Sequence, residues 1–142
     1  MKGKLFIDTW GWLVLHNKRE PRHAEVNVYY RKLRINGGTI YTTDYILDET
    51  LTMLFRRLPF SLARKSIGLL DKAIEQGYLR LEWISPQRFE AAKELRLRLH
   101  DKPDISFTDL TSMVVMKELD VSSILTEDDH FIQVGMRFKK MP

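Results

Sequence analysis

Two carboxylates in this sequence closely follow apolar runs, where an acidic side chain is in a position to do chemistry. Asp8 follows the run Leu5-Phe6-Ile7. Asp128 comes shortly after the run that ends at Thr126, within Glu127-Asp128-Asp129. An acid placed after a buried strand is costly unless it is hydrated, hydrogen-bonded or bound to a cation. Because ligands of parallel sheets bind beyond the carboxyl ends of the strands, we expect both acids at one edge of a sheet.

Two further acids lie near the starts of predicted helices. Asp109 falls in the first turn of a helix beginning at Ser106, and Met113 and Met116 make its face of the helix apolar. The alternative is a capping box, in which Ser106 and an acid three residues on satisfy the helix start without any ligand. Glu49 lies one turn into another helix, opposite a leucine stripe, where a solvent-exposed glutamate is the alternative.

Converging carboxylates favour a hard cation with oxygen ligands, Mg²⁺ or Mn²⁺. The chain has no cysteine, so thiolate metal sites and disulfides are excluded. The four histidines do not show a metal-ligand spacing, and we expect each at the surface or in a loop; they are His16, His23, His100 and His130. A bound Mg²⁺ or Mn²⁺ would attract substrate phosphates and lower the pKa of a water molecule.

Composition limits the remaining possibilities. The 142 residues fit one domain over 1–142, and 44% hydrophobic with 30% charged residues is typical of globular proteins. No apolar run approaches the roughly 18 residues that span a bilayer, so we expect no membrane segment and a cytoplasmic location. The net charge of +4 suits a polyanionic partner, although the charge alone is better explained by an ordinary solvated surface.

The elements that must position these acids alternate between strand-like and helix-like segments, which predicts an α/β fold with a parallel sheet. The predicted strands cover residues 5–7, 39–43, 78–84 and 121–126, with an optional edge strand over 136–139. The predicted helices begin at Pro21, after the N-caps Asp44 and Ser61, at Ser85-Pro86 and at Ser106. In the second of these helices, leucines at 47, 51, 54 and 58 form an apolar stripe.

Four segments, in this order and on these elements, resemble the motifs of the PIN domain, and within it the VapC-type toxins. Phe6-Ile7-Asp8-Thr9 resembles the opening motif, and residues 45–51 resemble the second, which carries one glutamate. Residues 105–109 resemble the third motif, and residues 124–131 resemble the Leu-Thr-x-Asp-x-x-Phe pattern of the fourth. The resemblance extends over almost the whole chain.

The resemblance implies a three-layer α/β/α domain with a central, mainly parallel sheet. It implies that Asp8, Glu49, Asp109 and Asp128 ligate the metal, with Thr126 as a supporting hydroxyl. The implied activity is hydrolysis of RNA phosphodiester bonds, and the implied partner is a small antitoxin protein. It admits a homodimer without requiring one.

Some residues depart from the family pattern or leave choices open. Trp10 stands where the family more often has a small or amide residue, and it could stack on a base. Asp128 and Asp129 are adjacent, and the spacing to Phe131 favours Asp128 as the ligand. Asp104 is either a fifth acid at the rim of the site or a turn residue.

Two clusters of basic residues are either solvated faces or grips for RNA phosphates. One cluster precedes and occupies the first long helix, and the other follows Glu49; together they are Arg19, Arg22, Arg31, Lys32, Arg34, Arg56, Arg57, Arg64 and Lys65.

Other acid-rich α/β classes fit less well. A haloacid-dehalogenase-type phosphatase needs a second Asp two residues after the first, where this chain has Trp10. A response-regulator receiver needs an acidic pair after the first strand, and here Asp8 stands alone. If the chain is a PIN domain, two alternative functions stay open. One is a catalytically silent module that binds RNA or protein, and the other is an RNA-processing nuclease without an antitoxin.

Overall fold

A computed structural model describes residues 3–142, in which five strands and seven helices alternate along the chain. The strands are β1 (Lys4–Ile7), β2 (Thr39–Thr43), β3 (Leu79–Glu82), β4 (Ser123–Leu125) and β5 (Lys139–Met141). The helices are α1 (Thr9–Leu15), α2 (His23–Ile35), α3 (Asp44–Arg57), α4 (Phe60–Glu75), α5 (Pro86–Arg98), α6 (Phe107–Glu118) and α7 (His130–Gln133).

The strands form one sheet with the order β3-β2-β1-β4-β5, and all four pairings between neighbours are parallel. Strand β1 lies at the centre, where Phe6 pairs with Tyr41 of β2 and Ile124 of β4. Leu5, Phe6 and Ile7 are fully buried. Because successive side chains of a strand point to opposite faces, both faces of the sheet must be covered by helices. The predicted three-layer α/β/α architecture is confirmed, and the sheet is wholly rather than mainly parallel in the described residues.

Two of the predicted helix caps are wrong. Thr43, not Asp44, caps α3, because its hydroxyl accepts the N–H of Ile46, while the Asp44 carboxylate accepts the N–H of Ile84. Helix α4 begins at Phe60, one residue before the predicted cap Ser61. The caps Ser85 and Ser106 are confirmed, since each hydroxyl accepts an N–H from the first turn of its helix.

The apolar face of α3 differs from the leucine stripe that the spacing predicts. Its buried residues are Ile46, Thr50 and Leu54, with Leu47 and Leu51 only half-buried at the edge. At 3.6 residues per turn, Glu49 then lies about 100° from the centre of the buried face rather than opposite it. This rotation brings an exposed glutamate from the far side of the helix to the border of the packed surface.

The ends of the sheet also differ from the sequence-based prediction. Strand β3 is shorter than the predicted 78–84, and β4 is shorter than 121–126. The edge strand exists, but it lies at Lys139–Met141 rather than over 136–139, and it pairs with β4. The short helix α7 lies between β4 and β5 in the chain, where no helix was predicted. Among residues 3–142, no helix is long and apolar enough to cross a membrane.

Candidate metal-binding active site

The first part of the site is built by the neighbouring strands β1 and β4. Their register pairs Ile7 with Leu125, so Asp8 and Thr126 leave the sheet side by side. The Thr126 hydroxyl donates a hydrogen bond to Asp8 Oδ2. The same hydroxyl oxygen accepts the N–H of Asp128 at 3.0 Å, so its own proton is directed to Asp8. The backbone therefore fixes both the position and the donor direction of Thr126.

Asp8 also caps α1. Its Oδ1 accepts the N–H of Gly11 at 3.0 Å, and its side chain is buried, with the residue only 7% exposed. Helix α1 approaches the sheet closely at Gly11, where an added Cβ would lie 2.8 Å from Ile7 Cγ2 and 2.9 Å from the Leu125 carbonyl oxygen. A glycine at this position lets the helix start against the strand ends and holds Asp8 at the sheet edge.

The second part of the site is the start of α6 and the loop before it. The Ser106 hydroxyl accepts the N–H of Asp109 at 3.0 Å, so the capping-box interpretation is correct for the hydroxyl. The guanidinium of Arg96 donates to the carbonyl oxygens of Ile105, Leu99 and Lys102 at 2.6–2.7 Å. Arg96 thereby holds the loop that sets where α6 begins, and with it the position of Asp109.

Glu49 reaches the site from α3. The Thr9 hydroxyl, in the first turn of α1, donates to Glu49 Oε1 at 2.9 Å. Helices α1 and α3 pack against each other, and this hydrogen bond joins their exposed ends. The glutamate is solvent-exposed, as the alternative interpretation expected, and it nevertheless lines the site.

All four predicted acids line one open cavity of about 510 Å³. The other lining residues are Thr9, Trp10, Ile46, Asp104, Ser106, Thr126, Glu127 and His130. Within the cavity, Asp109, Asp128 and His130 each place one possible ligand atom within 4.8 Å of the other two. Asp8 and Glu49 are outside this group of three. The two acids that follow strands, Asp8 and Asp128, and the two near helix starts, Glu49 and Asp109, therefore line the same cavity.

Burial and mutual repulsion disfavour the charged forms of two of these acids. Burial raises the pKa of Asp8 from its usual 3.8 to about 7, and the charges of Asp109 and Asp128 add to this, although the Thr126 and Gly11 hydrogen bonds oppose it. Burial raises the pKa of Asp109 to about 6, with further contributions from Asp128 and Glu49 and an opposing one from His130. A divalent cation would reverse this cost by neutralising the carboxylates. The donor set of mostly carboxylate oxygens fits Mg²⁺ or Mn²⁺.

Residues 5–136 match the family model of the PIN domain. The chain belongs to the PIN-domain family. The matched segment contains all four acids together with Thr126 and His130, so the acidic cavity lies wholly inside the PIN domain.

Relatives of this PIN domain match over most of its length. The chain is 28% identical to the 23S rRNA-specific endonuclease VapC20 of Mycobacterium tuberculosis over 131 residues, which are 92% of this chain and 94% of that protein. It is 29% identical over 128 residues to a VapC ribonuclease of Archaeoglobus fulgidus, covering 88% of this chain and 77% of that one.

Solved structures agree with the fold. The crystal structure of M. tuberculosis VapC20, described as a sarcin-ricin loop cleaving toxin, superimposes with a TM-score of 0.77 at 26% identity, covering 96% of this chain and 98% of that one. VapBC2 of Rickettsia felis, bound to a DNA fragment from its promoter, gives a TM-score of 0.69 at 14% identity over 97% of each chain, which supports the fold alone.

The neighbouring acids at the end of β4 point to different places. Asp128 lines the cavity, and its backbone N–H and carboxylate take part in the turn that follows Thr126. Asp129 is exposed and pairs with Lys140 at 2.7 Å, which lowers its pKa. The geometry therefore favours Asp128 over Asp129, as the spacing predicted. Asp104 is exposed and lines the rim.

His130 lines the site although its sequence position did not predict this. It was expected at the surface or in a loop, but its Nδ1 lies 3.0 Å from Asp128 Oδ2 and 3.4 Å from Asp109 Oδ2. The signal available in the sequence was a histidine two residues after an acid at the end of a strand. Elsewhere, burial lowers the pKa of His16 to about 4, and His23 lies 2.7 Å from the Val14 carbonyl oxygen.

Most of the basic residues that were candidate phosphate contacts lie elsewhere. A larger groove of about 960 Å³ runs between α2 and α4, and it is lined by Lys18, Arg19, Arg31, Arg34, Arg57 and Lys65 together with apolar residues. Near the acidic cavity, the Arg22 guanidinium lies 5.3 Å from the centre of the Trp10 ring, which itself lines the cavity. The two basic clusters therefore mark the α2–α4 groove more than the acidic site.

Proposed function

We propose that this PIN domain, a single domain over residues 1–142, is a metal-dependent endoribonuclease and the toxin of a toxin–antitoxin pair. Its proposed metal ligands are Asp8, Glu49, Asp109 and Asp128, and its ion is Mg²⁺ or Mn²⁺. The observation that carries the proposal is the meeting of all four acids in one cavity of a chain that matches VapC ribonucleases over nearly its full length. We place its action in the cytoplasm, where RNA is available.

The chain's own residues would divide the work of hydrolysis. When bound, the ion would supply electrostatic stabilisation of the phosphodiester and a lower pKa for the attacking water. Thr126 would favour the ionised form of Asp8 by donating to it, and Thr9 would orient Glu49 toward the cavity. Asp109 and Asp128 would complete the negative charge that holds the cation near the substrate phosphate.

Cleavage of a defined RNA tests the proposal. A stem-loop with the sarcin-ricin sequence is the first substrate, because a relative of this chain is described as cleaving that loop. The wild type and Asp109→Asn are compared with Mg²⁺, with Mn²⁺ and with EDTA. Asp129→Asn is the matched control, since Asp129 is an exposed acid of the same region that pairs with Lys140.

The expected result is cleavage by the wild type and Asp129→Asn with either metal, no cleavage in EDTA, and a loss of at least 100-fold in Asp109→Asn, the scale of losing one electrostatic catalytic group. Metal-independent cleavage would contradict the proposed mechanism. Failure of the wild type on both this stem-loop and a pool of structured RNA, without a metal-induced thermal shift, would favour the silent binding module.

We further propose that the α2–α4 groove receives an acidic, amphipathic segment of the antitoxin. The groove combines basic side chains with apolar ones such as Leu58, Leu62 and Leu69, and two of these leucines are about half exposed. A segment with acidic residues on its edges and apolar residues on one face would match both features. Such a partner buries surface that is otherwise costly to leave in water.

Charge reversal tests this partner. Lys65 lines the groove, whereas its neighbour on α4, Arg64, is exposed and lies outside the groove lining. Lys65→Glu is therefore the test variant, and Arg64→Glu is the control. We expect Lys65→Glu to weaken binding of the proposed antitoxin by at least fivefold, with Arg64→Glu close to wild type. Equal effects of both substitutions would indicate general charge attraction rather than a groove contact. Homodimer formation stays a prediction, tested by light scattering of the same samples.

A further inference from the structure

The His130 imidazole lies beside one carboxylate oxygen of Asp109 and one of Asp128, two acids that line the cavity. Its Nδ1 lies 3.0 Å from Asp128 Oδ2 and 3.4 Å from Asp109 Oδ2. The other oxygen of Asp128, Oδ1, accepts the backbone N–H of His130 at 2.8 Å. This turn leaves Oδ2 of Asp128 directed toward the imidazole. His130 Nδ1 and Asp128 Oδ2, from the β4–α7 segment, therefore lie close to Asp109 Oδ2 of α6.

These separations suit ligands that share one ion. Adjacent ligands of an octahedral cation with bonds of about 2.1 Å lie about 3 Å apart. The two distances from His130 Nδ1 are close to that value. Each of the three residues also offers one ligand atom within 4.8 Å of those of the other two.

The imidazole is also held in place rather than left to solvent. The next residue, Phe131, is fully buried and stacks edge-on with Phe138, which anchors α7 beneath the site. The His130 side chain is 26% exposed and Asp109 is 17% exposed, so both are partly shielded. A ligand fixed by its backbone loses little conformational entropy when an ion binds.

We propose that His130 is a ligand of the active-site metal through Nδ1, and that it makes the site prefer Mn²⁺ over Mg²⁺. The proposal rests on the metal site of the proposed function and adds to it a nitrogen donor beside Asp109 and Asp128. Mg²⁺ binds almost only oxygen and gives up water reluctantly. Mn²⁺ accepts an imidazole nitrogen more readily than Mg²⁺ does, so we expect one histidine among the carboxylates to favour Mn²⁺.

Direct detection of the nitrogen tests the ligand. Pulsed electron paramagnetic resonance of the Mn²⁺-loaded protein reports an imidazole ¹⁴N that is bonded to the ion. The variants are His130→Asn, whose amide nitrogen can still donate to Asp128 but whose oxygen is the only ligand atom, and His100→Asn, an exposed histidine outside the cavity lining as the control. Calorimetry then gives the Kd of each protein for Mn²⁺ and for Mg²⁺.

The wild type and His100→Asn are expected to show the ¹⁴N coupling, and His130→Asn is expected to lose it. We expect the Kd for Mn²⁺ to rise at least tenfold in His130→Asn, while the Kd for Mg²⁺ changes less than threefold. No ¹⁴N coupling in the wild type, or an equal loss of affinity for both ions, would overturn the proposal and leave His130 as a hydrogen-bond partner of the acids. Circular dichroism checks that His130→Asn folds, and His130→Gln replaces it if it does not.

The outcomes separate this inference from the proposed function. If Mn²⁺ is coordinated by nitrogen but the protein cleaves no RNA, the proposal that His130 is a ligand is supported and the proposed ribonuclease function is contradicted. If RNA cleavage depends on the metal but no ¹⁴N coupling is seen, the proposed ribonuclease function is supported and the proposal that His130 is a ligand is contradicted. A wild type that binds neither ion overturns both.

Discussion

The acidic cavity should make the metal-free protein less stable than a variant that lacks one of its charges. Asp109→Asn removes a carboxyl whose pKa is raised to about 6, first by burial and then by the charges of Asp128 and Glu49. The asparagine is nearly the same size and keeps an oxygen that can accept from His130. At neutral pH without metal, we therefore expect the variant to have the higher free energy of unfolding.

The size of the gain follows from the pKa. The unfolded carboxyl ionises near 3.8 and the folded one near 6, so the folded state binds more protons between these values. The contribution of Asp109 to the free energy of unfolding then falls as pH rises from about 4 to 6, at about 1.4 kcal/mol per pH unit. The full difference is about 3 kcal/mol above pH 6, as an upper limit. Asparagine does not titrate, so its advantage is absent below pH 4.

Urea denaturation in EDTA between pH 4.5 and 8 measures this difference. The gain of Asp109→Asn over the wild type should grow with pH and level off above about 6. Saturating Mn²⁺ should reverse the order, because an ion at 1,000 times its Kd adds about 4 kcal/mol to the protein that binds it. The variant would then be the less stable of the two.

A gain that is absent at pH 7.5, or that is as large at pH 4.5 as at pH 7.5, would refute the reasoning. The control is Asp129→Asn, whose carboxylate has a pKa lowered by Lys140. That group is stabilised when ionised, so its removal should give no gain at neutral pH. A gain in both variants would point to net charge rather than to the buried site.

Three further substitutions test how the site is held. Thr126→Val removes the hydroxyl that donates to Asp8, and a hydrogen bond to a charged group is worth about 1.5–3 kcal/mol. Calorimetry should show Mn²⁺ affinity about 10 to 100 times weaker at pH 6.5. The loss should be smaller at pH 8.5, because Asp8 ionises more readily there. Gly11→Ala should lower the free energy of unfolding by about 1–3 kcal/mol in urea, because its Cβ would meet the Leu125 carbonyl oxygen at 2.9 Å. Arg96→Lys cannot reach three carbonyls at once, and we expect thermal melting to show a loss of about 1–3 kcal/mol and RNA cleavage to fall as the loop before α6 shifts.

Each substitution has a matched control. Thr52→Val removes an exposed hydroxyl of α3 and should leave Mn²⁺ affinity unchanged. Gly68→Ala adds a Cβ with nothing within 4 Å and should be neutral or slightly stabilising. Arg98→Lys alters an exposed arginine of the same helix. The interpretation of each contact is wrong if a control matches its test variant.

The sequence predicted the central features because they depend on local pattern. The apolar runs before Asp8 and Thr126 predicted two strands that end at the site, and Thr39–Thr43 was predicted with its observed bounds. The parallel sheet followed from the alternation of elements. These are properties that a few consecutive residues determine through periodicity and burial.

What the sequence did not show depends on contacts between distant residues. Both Thr43 and Asp44 can cap a helix, and the choice follows from Asp44 accepting the N–H of Ile84, 40 residues away. Glu49 was placed opposite the leucine stripe, because the spacing could not show that Ile46 and Thr50 face the core. His130 had no metal-ligand spacing, since its neighbour Asp109 comes from another helix.

The pairing of β1 with β4 also decides when the site can exist during synthesis. Asp8 and its hydrogen-bond partner Thr126 are 118 positions apart. Asp109 lies near the end of that interval, and Asp128 lies two residues past it. At about 5–20 residues per second, the ribosome needs roughly 6 to 24 seconds to make the intervening chain. Contacts so distant in sequence also form slowly in folding. A nascent chain therefore exposes its N-terminal acid early but assembles the acidic cavity only after β4 has emerged, which leaves a ribonuclease of this design inactive while it is being made.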